Sequence, residues 1–242
     1  MTGWLVAKGG GPVIPDFGQP SACLKRNGWF CTDWLTKHWG DTLQPALVQH
    51  IQLTLIAVGI GFAISFLLAL VGFRWRLFDG PLGGFTDLLY AIPSIALFQL
   101  LVPLTGVTVT TVEIALVSYT LFILYRTMIA GLRAVPDEVL ESARGMGLTR
   151  LQTFFRVELP LAAPAILAGL RIATVATISI ATVAAFLIDD GLGAPIFAAI
   201  ETPDLFKTEL LATGGLAILL ALVADALLAA LQRALTPWNR LR

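Results

Sequence analysis

Charged residues are scarce in this sequence. Asp, Glu, Lys and Arg make up 13% of the 242 residues, compared with about 25% in a typical soluble domain. Acidic and basic residues balance at 16 each, so a nucleic acid is not an expected partner. Hydrophobic residues make up 57%, a composition that is typical of integral membrane proteins and argues against an ordinary soluble domain.

The residue patterns of common enzyme sites are also absent. No glycine-rich loop ends in Lys-Ser or Lys-Thr, so the chain has no recognisable ATP-hydrolysing site of its own. Neither a paired-His metal motif nor a Gly-x-Ser-x-Gly nucleophile turn is present, and His38 and His50 each stand alone. We therefore expect a chain that is not an enzyme and holds no metal.

Only two cysteines are present, Cys23 and Cys31, and both lie in an N-terminal segment that is too irregular to cross a membrane. If that segment faces an oxidising compartment, a disulfide between them is expected, with two unpaired thiols as the alternative. Asn27 and Gly28 supply a turn between them, and closing so short a loop contributes about 2.5 kcal/mol in the chain-entropy model. Residues 29–39 are predicted to form a short helix on the outer surface.

Five apolar stretches are long enough to cross a bilayer as helices, which takes about 20 residues. They are roughly Ala46–Phe73, Pro81–Pro103, Val112–Leu132, Leu161–Ile188 and Leu210–Leu231. Pro93 interrupts the second stretch. The prediction is an all-α integral membrane protein with about five transmembrane helices: an outer segment (1–44), a transmembrane domain (45–234) and a cytoplasmic tail (235–242).

The distribution of Lys and Arg predicts the orientation, because cytoplasmic loops carry the excess of positive charge. With the N-terminus outside, Arg74 and Arg76 lie in a short inner loop and three arginines lie near the C-terminal end (Arg233, Arg240 and Arg242), whereas the short outer loop 104–111 has none. The C-terminus is then inside. Tryptophans mark both predicted interfaces: Trp29, Trp34 and Trp39 outside, and Trp75 and Trp238 inside.

A charged, glycine-broken stretch lies between the third and fourth spans, at residues 136–158. Pro136 suits the first turn of a helix, Gly145 and Gly147 end or sharply turn that helix, and Thr149 with Gln152 forms a capping box that restarts it. The sequence predicts two short cytoplasmic helices joined by a glycine turn. An amphipathic helix on the inner leaflet and a protein-docking element both fit this pattern.

Two further expectations concern the same stretch. Glu141 and Arg144 stand three residues apart on its polar side, where they can form an ion pair. Leu159 and Pro160 are expected to break the second helix just before the fourth span.

The spacing of this stretch resembles the motif that marks the permease subunits of ABC importers: Glu-Ala-Ala, three residues, Gly, nine residues, Ile, one residue, Leu-Pro. The corresponding residues stand at every interval: Glu141, Ser142, Ala143, Gly147, Val157, Leu159 and Pro160. Ser142 in place of Ala and Val157 in place of Ile are mild departures. Residues 91–107, 143–175 and 187–197 resemble the osmoprotectant branch, whose permeases import glycine betaine, carnitine, choline and related quaternary amines.

The resemblance implies a type I importer fold, in which two permease subunits, identical or paralogous, surround a central path. It implies two cytoplasmic ATPase subunits that use the ATP, an extracytoplasmic substrate-binding protein, and a multi-pass location in the bacterial cytoplasmic membrane. No cofactor is then bound by this chain itself. The glycine-broken stretch becomes the coupling helix, and the positions carried over are Glu141, Ser142, Ala143, Gly145, Gly147, Leu148, Leu159 and Pro160.

Two other functions compete with this one. Permeases of methionine importers share the five-span plan and the same motif, so methionine or another amino acid is the alternative solute. A secondary transporter driven by an ion gradient needs charges near the middle of the membrane and usually an inverted repeat. We find no clear repeat, and such a transporter leaves the motif at 141–160 unexplained.

Polar residues within predicted spans are costly, and they are usually functional or paired. The candidates for the path or for ion pairs inside the bundle are Gln99, Glu113, Tyr119, Arg126, Arg171 and Asp225. Asp225 is expected to pair with one of the two arginines or to line the path, and Glu113 to face the binding protein.

Aromatic residues and two outer loops complete the expectations. Tyr90, Phe98 and Tyr119 either offer aromatic faces to a quaternary ammonium or simply pack. The acidic stretch Asp189–Thr208 is expected to be an outer loop that docks the binding protein together with 104–111.

Overall fold

The computed structural model describes residues 22–238, which are helical without any β-strand. The helices are α1 (Ala22–Arg26), α2 (Thr32–His38), α3 (Gln44–Arg74), α4 (Arg76–Ala91), α5 (Ser94–Thr105), α6 (Val109–Arg133), α7 (Asp137–Gly145), α8 (Arg150–Thr153), α9 (Leu159–Val183), α10 (Gly193–Glu201) and α11 (Lys207–Leu235). The wider π-helical turns Trp39–Leu43 and Phe154–Glu158 join α2 to α3 and α8 to α9. The predictions for residues 1–21 and for the tail after 238 lie outside the described residues.

Four helices are long and apolar enough to cross a membrane by themselves, namely α3, α6, α9 and α11 with their extensions. Helices α4 and α5 form a pair that is bent by 100°. Asp79 on α4 forms an ion pair with Arg133 at one end of α6, whereas Thr105 on α5 bonds to Thr111 at the other end. The bent pair therefore runs the whole length of α6 and provides the fifth crossing.

The bend lies at Pro93, as its position in the second predicted span indicates. Proline cannot donate a backbone hydrogen bond, and it keeps the preceding residue extended. Ile92 has that extended backbone, with ψ 127°. The Tyr119 hydroxyl of α6 donates a hydrogen bond to the Ile92 carbonyl, so this carbonyl is satisfied at the break even though the helix does not continue.

Small residues bring the spans close together. Helix α6 packs between α3, which runs parallel to it, and α9, which runs antiparallel. Gly61 on α3 faces Thr120, and Gly169 on α9 faces Thr127, so closely that a side chain at either glycine would collide with the threonine. Such small-residue contacts are the usual way in which helices associate in lipid. Helix α11 packs against α9 at the edge of the bundle.

The outer end of the bundle is closed by a small cap. Cys23 and Trp34 from the N-terminal segment pack with Leu43, Ala199 and Phe206 in one apolar cluster. The expected short helix over 29–39 is present as α2, which presents Trp34 to this cluster.

The predicted outer loop Asp189–Thr208 contains a helix that the sequence pattern did not indicate. Gly191 does make a tight turn, with φ +72°, but the following residues form the helix α10. Gly193 lies against the Thr182 carbonyl, where no side chain fits. Pro195 and Ala199 are buried on the same helix, so α10 belongs to the packed cap.

Candidate functional site

Helix α7 ends in a left-handed turn at Gly147. The φ angle of this residue is +80°, a conformation that favours glycine. The N–H of Gly147 donates to the Arg144 carbonyl over 2.9 Å, and the N–H of Leu148 donates to the Ala143 carbonyl over 3.2 Å. These are the paired hydrogen bonds of a glycine C-cap, which satisfy the last carbonyls of the helix. Gly145 is the last residue of α7 and takes no unusual backbone angle.

The chain restarts as a helix at Thr149. Its hydroxyl accepts from the Gln152 N–H, and the Gln152 side chain accepts from the Thr149 N–H over 2.9 Å, which is the capping box. The expected break at Leu159 and Pro160 is wrong, because α8 continues through the π-helical turn Phe154–Glu158 into α9. Pro160 stands in the first turn of α9, where a wider preceding turn tolerates its missing N–H.

The segment Asp137–Thr153 presents an apolar edge to its surroundings. Met146 is 73% exposed and Leu151 is 69% exposed, and both lie beside the glycine turn. Glu141 and Ser142 are also exposed, and the Ser142 hydroxyl is bonded to the Glu138 carbonyl. Exposed large apolar side chains on a polar segment indicate a contact surface.

The opposite edge of the segment is anchored to the bundle. Ala143 is completely buried, and the ring of Phe154, the residue that follows the segment, lies 6.4 Å from the Phe73 ring at the end of α3. A groove of about 1050 Å³ separates the segment from the end of α3, and Arg144 and Glu158 both line it. The expected Glu141–Arg144 ion pair is not among the ion pairs of the described residues, because Arg144 turns toward this groove.

Asp225 pairs with Arg171 between α11 and α9. Arg171 donates from Nε and Nη2 to the two carboxylate oxygens over 2.8 and 2.9 Å, and from Nη1 to Gln232 over 3.3 Å. Gln232 in turn donates to the Pro164 carbonyl. This network ties α11 to α9 beside an open, mainly apolar groove of about 1010 Å³.

Arg126 pairs with an acidic residue that is not among the polar candidates from the sequence. Its partner is Asp87 on α4, which lies in the second predicted span. Asp79, about two helical turns before Asp87 on α4, accepts from Tyr125 over 2.8 Å and pairs with Arg133. The missing signal was the spacing of the two aspartates, eight residues apart on α4, which places both on the side that faces α6.

Glu113 does not offer a free carboxylate to a partner. Both carboxylate oxygens are buried by the protein itself and form no hydrogen bond with a described residue. The expectation that Glu113 faces the binding protein is therefore wrong for this conformation. Gln99 is exposed on α5.

The three aromatic candidates have different surroundings. Phe98 is buried in the core cluster with Leu97 and Val112. Tyr119 is buried and bonded at the helix break, whereas Tyr90 is 45% exposed. Only Tyr90 therefore has an accessible ring.

The N-terminal loop is closed by a disulfide between Cys23 and Cys31. Asn27, at the tip of the loop, accepts from the Lys207 N–H over 3.1 Å and donates to the Asp204 carbonyl over 2.6 Å. Lys207 is the first residue of α11, and the preceding Phe206 supplies no side-chain cap. Asn27 thus caps the last span from a distant part of the chain.

Known sequences show where this architecture occurs. The family described as "Binding-protein-dependent transport system inner membrane component" matches residues 48–237. The choline transport system permease protein OpuBB of Bacillus subtilis is 36% identical over 82% of this chain and 90% of its own length. The osmoprotectant import permease protein OsmW of Salmonella typhimurium is 36% identical over 78% of this chain and 89% of its own.

Solved structures share the fold. A chain of the MetNI methionine ABC transporter in an inward-facing conformation superposes with a TM-score of 0.72 at 19% identity, over 83% of this chain and 98% of that one. An amino acid ABC transporter solved with histidines gives 0.70 at 19% identity, over 85% and 100%. At this identity the likeness concerns the fold, which is that of a type I importer permease.

The family match includes all five crossings and the glycine-broken segment, whereas α1 and α2 lie before it. The apolar crossings and the bacterial relatives make the chain a multi-pass protein of the bacterial cytoplasmic membrane. The chain belongs to the family of inner membrane components of binding-protein-dependent transport systems.

Proposed function

We propose that this chain is the permease subunit of an ATP-driven importer for an osmoprotectant with a quaternary ammonium group. The observation that carries the proposal is the identity of 36% with a choline permease over 82% of this chain and 90% of the relative. A second relative of B. subtilis, named as a glycine betaine/carnitine/choline permease protein, is 33% identical over 78% of this chain. Choline, carnitine and glycine betaine share a trimethylammonium group, which sets the chemical class of the solute.

The chain forms the path, and a separate subunit supplies the energy. We infer that the segment Asp137–Thr153 is the coupling helix that docks on a cytoplasmic ATPase. The support is its position between α6 and α9 at the arginine-rich end, its rigid glycine turn, and the exposure of Met146 and Leu151. The ATPase binds and hydrolyses the ATP, so this chain itself is not an enzyme.

Two further partners belong to the proposed machine. A second permease subunit, identical or paralogous, completes the central path. An extracytoplasmic binding protein delivers the solute to the outer end of the bundle, where the loop 104–111 and the cap around α10 form the available surface.

Uptake by the reconstituted complex tests the proposal. The permease is purified from native membranes with its co-purifying ATPase, and proteoliposomes receive the binding protein and radiolabelled glycine betaine or choline. We expect uptake that requires ATP inside the vesicles and is insensitive to ionophores. Uptake driven by an ion gradient without ATP would contradict the proposal, and ATP-driven uptake of methionine with neither quaternary amine transported would identify the alternative solute.

A further inference from the structure

Arg126 has one side of its guanidinium group unoccupied. Asp87 accepts from Nε over 3.0 Å and from Nη2, which uses two of the five N–H donors of the group. No described residue accepts from Nη1, so the edge between Nη1 and Nη2 is available for a second carboxylate. The side chains of the pair are 49% and 44% exposed, so this edge is accessible.

The α4 backbone holds this guanidinium in place. A Cβ atom added at Gly83 would lie 3.2 Å from Cζ, Nη1 and Nη2 of Arg126. The planar group therefore lies directly against the helix at a residue without a side chain. Together with the bidentate contact to Asp87, this fixes the direction in which the open edge points.

Aromatic rings continue the same face of the seam between α4 and α6. Tyr90 follows Asp87 by three residues on α4, and Phe122 precedes Arg126 by four on α6, so each ring lies one helical turn from its charged neighbour. The Tyr90 and Phe122 rings stack with centroids 4.3 Å apart, and Tyr119 meets Tyr90 edge-on at 5.9 Å. Tyr90 remains about half exposed.

The location of this cluster disfavours lipid as its ordinary neighbour. Arg126 lies about 10 Å before the inner end of α6, well inside the crossing. Half-exposed charges at such a depth face a water-filled cavity or another protein surface, because exposure to hydrocarbon is costly.

We propose that Asp87, Tyr90 and Arg126 form a solute-recognition site within the permease, specific for a zwitterion that carries a quaternary ammonium and a carboxylate. The solute carboxylate binds the Nη1–Nη2 edge of Arg126, and the ammonium group rests on the Tyr90 ring near the Asp87 carboxylate. This inference rests on the proposed function and adds a site to it.

The second ion pair provides a built-in comparison. Arg171 is held by Asp225 in the same bidentate way, but its Nη1 is already bonded to Gln232. None of the ring contacts among the described residues involves a residue next to this pair. Arg171 and Asp225 therefore fasten two helices and do not form a second site.

Binding to the permease–ATPase complex in nanodiscs, without the binding protein, tests the site. The probe is radiolabelled glycine betaine, and choline, which lacks the carboxylate, is the competitor. We expect saturable binding that Arg126→Lys weakens about tenfold or more, because lysine retains the charge and loses the planar fork. Tyr90→Leu should weaken it about three- to tenfold, whereas Tyr90→Phe should leave it unchanged. Choline should compete poorly with glycine betaine in the wild type.

Asp225→Asn is the control, since it alters the other arginine–aspartate pair within the crossings. The site is supported if glycine betaine binds Asp225→Asn as it binds the wild type, while Arg126→Lys and Tyr90→Leu bind it more weakly. Absence of saturable binding, or equal losses in Arg126→Lys and Asp225→Asn, overturns it. The proposed function is judged separately by ATP-dependent uptake in the wild type, so an importer that works without this site contradicts only the site.

Discussion

At the scale of single residues, Gly145 and Gly147 differ although both are exposed. A Cβ atom at either position meets nothing within 4 Å, but only Gly147 has the positive φ. Gly147→Ala should destabilise the turn by about 1–2 kcal/mol and weaken ATPase binding, because the left-handed conformation strains any residue with a side chain. Gly145→Ala should have little effect. Co-purification of the ATPase with each variant measures the difference, and equal behaviour would contradict the role of the turn.

Asn27 combines two requirements in one residue. Its φ is +42°, and its side chain caps α11. Asn27→Gly removes the cap and retains the backbone freedom, whereas Asn27→Ala removes both. We expect the thermal unfolding midpoint of the purified protein to fall from wild type to the glycine variant and again to the alanine variant. The alanine variant should lose about 1–2 kcal/mol of unfolding free energy in total. An alanine variant as stable as the glycine variant would exclude a backbone contribution.

The partners of the charged residues were the least predictable part of the site. The sequence marks Arg126, Arg171 and Asp225 as costly within a span, but it does not indicate that Asp87 is the partner of Arg126. Which acid faces which arginine depends on the rotation of each helix about its axis. That rotation is set by contacts between helices, such as Gly169 against Thr127. The sequence around each charged residue does not reveal these contacts, so it does not reveal the ion pairs either.

At the scale of elements, the N-terminal disulfide loop acts on a helix that is distant in sequence. It holds Asn27 and Gly28 against the start of α11, where Thr208 donates to the Gly28 carbonyl over 2.8 Å. Replacing both cysteines by serine should loosen this cap by about 2.5 kcal/mol, because the loop regains its freedom in the opened state. Limited proteolysis near residues 22–43 should then be faster.

Reduction provides the control for this prediction. Dithiothreitol should accelerate cleavage of the wild type to the rate of the double serine variant, and it should leave that variant unchanged. Equal cleavage rates in all four samples would show that the disulfide does not hold the cap.

Hydropathy predicted the long helices well, and it failed where an element is short or irregular. Spans α3, α6, α9 and α11 follow from apolar runs alone, since a helix that crosses a bilayer needs about 20 consecutive, mostly apolar residues. Hydropathy does not indicate the nine-residue α10, because acidic residues flank it and its small residues give no clear pattern. Pro93 indicates a break in the second span. The angle of the bend between α4 and α5, 100°, depends on how α5 packs against α6.

At the scale of the whole molecule, the apolar edge of the segment Asp137–Thr153 becomes an assembly surface. Met146→Glu and Leu151→Glu should each abolish stable ATPase binding, because a carboxylate would be buried in an apolar contact. Leu77, which is 83% exposed on α4 at the same end of the bundle, offers the control. Leu77→Glu should bind the ATPase normally in the same pull-down, and loss of binding in all three variants would place the contact elsewhere.

The amino-acid sequence by itself determined the membrane class, the number of crossings, the glycine turn, the capping box and the motif that relates the segment to importer permeases. These features depend on composition, on runs of neighbouring residues or on short intervals. Only the tertiary structure decided that Asp87 holds Arg126, that Tyr90 keeps an open ring beside them, and that Asn27 caps α11. The physical reason is that such contacts join residues on different helices, whose mutual rotation and depth are settled by packing across the whole bundle.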